Sequence, residues 1–84
     1  MYEYLFTFRS VTAATRASRA LEREGITSLM IRTPAELRQM GCGYSLRVKE
    51  RLLLEARQVF IQEKIAYQRL FRKRTGEDWQ EVTL

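Results

Sequence analysis

One side chain in this sequence becomes a strong nucleophile when ionised: Cys42, set between Gly41 and Gly43. Flanking glycines leave a thiol sterically open and let a partner approach the backbone closely. The thiolate is the reactive form, and nearby positive charge favours it. Arg38 and Arg47 are near enough in sequence to supply that charge, and Ser45 belongs to the same stretch. A thiolate so placed accepts sulfur or selenium, forms a mixed disulfide, or is oxidised to a sulfenic acid. The bland alternative is a small buried cysteine, the commoner state of this residue type.

The rest of the composition excludes more than it offers. Cysteine occurs once and histidine not at all. No disulfide within the chain, no zinc site of paired cysteines and histidines, and no histidine general base can form. Asp78 is the sole aspartate, so a carboxylate metal cage is not expected. Phosphate-loop and dinucleotide signatures are missing, and no cofactor is expected. With no acid–base pair visible, the chain reads as a carrier or binding protein rather than an enzyme.

The net charge is +5, from 15 basic and 10 acidic residues, and most of the basic ones are arginine. Arginine's planar fork suits phosphate and carboxylate. Two groups are candidate anion sites: Arg16, Arg19 and Arg23, and then Arg69, Arg72, Lys73 and Arg74. RNA is the weakest reading of them, because the aromatic signature of RNA-binding sheets is absent. A solvated charged face fits the same pattern. No apolar run approaches the length of a membrane span. The opening Met-Tyr-Glu-Tyr lacks a basic stretch followed by an apolar one, so a cytoplasmic protein without a secretory signal is the expectation.

The elements that must position Cys42 follow from hydrophobic period. Residues 2–9 alternate, with Tyr2, Tyr4, Phe6 and Phe8 on one face, and predict a strand with an aromatic buried side. Ser10 is a plausible N-cap for a helix whose inner face is Ala13, Ala14, Ala17, Ala20 and Leu21, stopped by Gly25. Ile26 to Arg32 predicts a second strand, apolar enough at Leu29, Met30 and Ile31 to be buried on both sides. Thr33-Pro34-Ala35-Glu36 has a capping-box arrangement, with an irregular loop as the equal alternative. Tyr44 to Val48 predicts a short third strand, and Lys49 to Lys64 a helix with Leu52, Leu53, Ala56, Val59 and Phe60 on one face.

Ala66 to Lys73 alternates again, Thr75-Gly76-Glu77-Asp78 is a turn, and Trp79 to Val82 returns as a short strand or tail. The expected fold is α+β: a ferredoxin-like βαββαβ sheet with two helices on one face. The alternative is βαβ followed by one long C-terminal helix, since no glycine or proline interrupts residues 44–75. Either way a single domain covers 1–84, with a core over about 2–73 and a basic hairpin or tail over 74–84.

Tyr4-Leu5-Phe6-Thr7-Phe8 before an alanine-rich helix, then Arg32-Thr33-Pro34, then Cys42-Gly43-Tyr44-Ser45-Leu46-Arg47-Val48, resembles a family of small bacterial proteins described as putative selenium/sulfur carrier-like. The resemblance spans roughly residues 2–73, and the long basic C-terminal segment departs from it. It implies that Cys42 is a carrier thiol, transiently a persulfide or selenopersulfide, serving sulfur- or selenium-donating and accepting proteins. The competing function is a small basic adaptor module with no covalent chemistry. Leu54 and Ile61, seven residues apart on the helix side opposite the predicted core face, are its candidate interface and would make a homodimer. If they do, Leu54→Glu lowers the sedimentation-derived mass of the wild-type chain. Equal masses for the two proteins remove the interface.

Overall fold

The computed structural model describes residues 1–38 and 43–84. The elements are β1 (Glu3–Thr7), α1 (Val11–Arg23), β2 (Leu29–Arg32), β3 (Tyr44–Lys49), α2 (Leu53–Gln62), β4 (Arg69–Lys73) and β5 (Gln80–Glu81). Short 3₁₀ turns cover Ala35–Leu37 and Glu50–Leu52. The strands form one five-stranded sheet in the order β2-β3-β1-β4-β5, antiparallel at every pairing. The protein is therefore α+β, with strand–helix–strand–strand–helix–strand order and a fifth strand appended.

Sequence alternation decides which face of the sheet is which. Tyr4 and Phe6 of β1, Phe8 just after it, Leu46 and Val48 of β3 and Leu70 of β4 form one cluster with both helices. α1 contributes Ala14, Ala17, Ala20 and Leu21, and α2 contributes Leu53, Ala56, Val59 and Phe60. Both helices thus cover the same face, and small alanines bring α1 close to it. Phe60 meets Phe6 edge-on at 5.0 Å and Phe8 at 6.1 Å, geometries that aromatic pairs favour.

The helix-free face is also dry at its centre. Leu5 is fully buried and Phe71 is 3% exposed. They face each other in register across β1 and β4. Long charged side chains roof them. Arg47 of β3 donates to the Glu3 carboxylate. Arg69 lies over the Phe71 ring at 4.8 Å and donates to both carboxylate oxygens of Glu81, at 3.0 and 2.7 Å. The hydrogen bonds from Arg69 hold the Glu81 carboxyl below its usual range. β1 is therefore buried on both sides rather than on its aromatic side alone.

Helix ends follow local chemistry. Ser10 caps α1 by accepting from the Ala13 amide at 3.1 Å, and Gly25, at φ +71°, ends it. The Gly25 amide donates to Glu22 and the Ile26 amide to Leu21, the paired bonds of a Schellman stop. α2 ends by the same device without a glycine. The Lys64 amide donates to Ile61, the Ile65 amide to Phe60, and Lys64 takes φ +55°. This stop excludes a single long helix through residues 44–75.

Three other expectations need correcting. β2 is an edge strand, with Leu29 57% exposed, because only β3 pairs with it and no second neighbour covers its other side. The segment after it begins at Pro34 with no side-chain cap, since the Thr33 hydroxyl is committed elsewhere. β4 starts at Arg69 rather than Ala66, so Tyr67 escapes the alternation and packs on Phe6 at 4.8 Å.

Holding a lysine in the left-handed region costs about 1–2 kcal/mol, of which a glycine's extra chain entropy would take back about 0.5–1. Lys64→Gly is expected to stabilise the protein by about 0.5–1 kcal/mol, read as a higher urea midpoint at unchanged slope. A lower midpoint contradicts this account of the α2 stop.

Candidate functional site

The segment between β2 and β3 carries Cys42. Its two ends are fastened together at residues that the pairing of β2 with β3 brings side by side. Arg32 and Tyr44 are the last register pair. One step beyond, the Thr33 amide donates to the Gly43 carbonyl at 2.5 Å. The Thr33 and Ser45 hydroxyls bond each other at 2.5 Å, and both residues are buried. Two hydroxyls that satisfy each other in an apolar setting form a clasp that neither can leave without stranding its partner. Arg38 closes the neck from the other side by donating to the Thr33 carbonyl at 3.3 Å.

Two guanidiniums converge on Gly43. A methyl built there would sit 3.8 Å from Arg38 Nε and 3.9 Å from Arg32 Nη2. Arg32 also lies over the Tyr44 ring at 5.8 Å. No carboxylate pairs with either arginine among the described residues. The residue next to Cys42 is thus flanked by two uncompensated positive charges. Gly43 does not need the left-handed backbone region, so the freedom expected of a glycine there is not what it supplies. Gly41 and Cys42 themselves lie outside the described residues, as does Met40.

The other sequence candidates are dispersed. Arg47 pairs with Glu3, whose register partner is Lys49, so it leans toward the end of β3 away from the neck. Arg16 donates to the Glu63 carbonyl at 3.0 Å and Arg23 to the Glu63 carboxylate at 3.3 Å. Both thereby tie α1 to the C-terminal end of α2, where cations are favoured. Arg69 is spent on Glu81, and Arg74 on Glu77 at 3.1 Å. Arg72 and Arg74 both lie over the Tyr2 ring, at 4.2 and 5.0 Å. Phe71 is buried and Tyr67 is packed in the core, so neither offers a ring to a nucleic-acid base.

Leu54 and Ile61 are exposed on the outer side of α2, at 72% and 55%. Among the described residues no cluster of ligating side chains would hold a metal, and no helix is long and apolar enough to cross a membrane. Sequence reasoning missed Arg32 as a site residue and gave Thr33 either as a helix cap or as part of an irregular loop. The only available signal was the pairing of two adjacent strands across the segment, which brings Arg32, Thr33 and Ser45 together.

The family described as Putative Se/S carrier protein-like has a sequence model that matches residues 3–72. The chain belongs to that family. No curated protein and no solved structure matches it.

The clasp makes a stability prediction. Thr33→Val strands the buried Ser45 hydroxyl and is expected to cost about 1–3 kcal/mol in urea unfolding. Adding Ser45→Ala to it removes the stranded group and is expected to cost less than the sum of the two single changes. Additive losses contradict a coupled pair.

Proposed function

We propose that this member of the Se/S carrier-like family carries one sulfur or selenium atom on Cys42. In the loading step the Cys42 thiolate attacks the outer sulfur of a donor protein's persulfide. The new S–S bond forms on Cys42, the donor's S–S bond breaks, and the donor leaves as a thiolate. In delivery an acceptor nucleophile attacks that outer sulfur, and Cys42 leaves as a thiolate in turn. Electrons balance in both steps with no added oxidant or reductant, and a selenopersulfide follows the same course. Neither step needs an acid–base pair or a cofactor, and the chain is a carrier rather than an enzyme.

The observation that carries this reading is the convergence of Arg32 and Arg38 on Gly43, beside Cys42 in the chain. A thiolate is the attacking group in loading and the leaving group in delivery, so fixed positive charge helps both. The clasp at Thr33 and Ser45 holds the neck that presents those charges. We further read the sheet as ferredoxin-like βαββαβ with β5 added at the β4 edge. The order β2-β3-β1-β4 and the common side of the two helices support that reading.

A second reading rests on the exposure of Leu54 and Ile61. Here the domain docks on a partner, or on a second copy of itself, through the outer side of α2, and Cys42 is dispensable. A Cys42→Ser variant that retains full function in cells favours it.

Incubation with a cysteine desulfurase and cysteine is expected to raise the intact mass by about 32 Da, one sulfur atom, and to leave Cys42→Ser unchanged. The reading fails if the wild-type chain gains no reducible sulfur, or if Cys42→Ser gains as much.

A further inference from the structure

The helix-free face of the sheet holds a pocket of about 330 Å³, between the segment that follows β2 and the turn that joins β4 to β5. Glu3, Arg47 and Lys73 enter it from β1, β3 and β4, the three central strands. Ile31 and Pro34 line it from the end of β2 and just beyond, and Trp79 from the turn before β5. All six are half-buried. Three charged groups share the pocket with the apolar surfaces of Ile31, Pro34 and Trp79, and its volume is that of a small-molecule site.

Its charges are unequally matched. The Glu3 carboxylate is taken by the Arg47 guanidinium. The Lys73 ammonium has only the Trp79 ring as a partner among the described residues, at 5.4 Å. One positive charge is therefore left over in a partly dehydrated site. An ammonium so placed gains from an arriving anion more than one in bulk water does. The Glu3 and Arg47 charges cancel each other. A single carboxylate therefore neutralises the site, whereas a doubly charged phosphate or sulfate would leave a net negative charge in a partly dehydrated place.

We infer that this pocket binds a small organic monocarboxylate with a planar apolar body. The carboxylate meets Lys73, with Arg47 beside it, and the body lies between the Trp79 ring and the wall of Ile31 and Pro34. The site rests on its own lining residues and stands whether or not the carrier chemistry of Cys42 is correct.

Trp79 is the sole tryptophan in the chain, so its fluorescence reports this pocket directly. Titration with phenylacetate is expected to change its emission saturably. Phenylacetamide, of the same shape without the charge, is expected to bind about tenfold more weakly, the loss of a charge-assisted hydrogen bond. Lys73→Gln is expected to weaken phenylacetate by a similar factor and Lys73→Arg to restore it. Amide shifts at Ile31 and Gly76 in nuclear magnetic resonance spectra of the same variants give a readout independent of the tryptophan's surroundings. Equal binding of acid and amide, a response that never saturates, or unweakened binding by folded Lys73→Gln overturns the inference.

Discussion

β1 is the constraint on which the structure depends. It is the middle strand of five, and its residues are buried alternately toward both sides. Tyr4, Phe6 and Phe8 need a partner layer on one side, and α1 and α2 provide it. Leu5 and Thr7 need cover on the other side, where there is no helix. That cover comes from the stems of long charged side chains, which lie along apolar surface while their heads stay near water. The ion pairs of Arg47 with Glu3 and Arg69 with Glu81 hold two of those stems in place.

This arrangement changes the meaning of the basic composition. Much of the positive charge that suggests an anionic partner serves internal ends. Arg47 and Arg69 roof the sheet, Arg16 and Arg23 join the two helices, and Arg74 closes a turn. Three of the cations without a carboxylate partner among the described residues stand at the neck and the pocket. Arg32 and Arg38 stand at the neck that leads to Cys42, and Lys73 stands in the pocket beside Trp79.

Much of the fold was legible because local signals agreed. Alternating aromatics gave β1, a serine cap and a glycine stop bounded α1, and the apolar period of 52–60 gave α2. The failures have physical causes. A lysine performs the stop usually given to glycine, so the helix end expected at Lys64 carried no breaker and one long helix stayed open as the alternative. β2 is as apolar as a central strand, yet only pairing decides that it lies at an edge. The site was less legible than the fold. Cys42, Arg38 and Ser45 stand out by type and spacing, but Arg32 and the Thr33–Ser45 clasp arise from strand register. The pocket of Glu3, Ile31, Pro34, Arg47, Lys73 and Trp79 draws on four strands and two loops, a conjunction no short motif contains.

The central claim is that the charges of Arg32 and Arg38 make the Cys42 sulfur reactive. Its most direct measure is the rate at which iodoacetamide alkylates Cys42 in the folded protein, followed against pH. The account predicts rapid labelling near neutrality, with the rise in rate displaced to higher pH when Arg32 and Arg38 are both changed to glutamine. Identical profiles for the wild type and the double variant, both matching a free cysteine in an unfolded peptide, would contradict it.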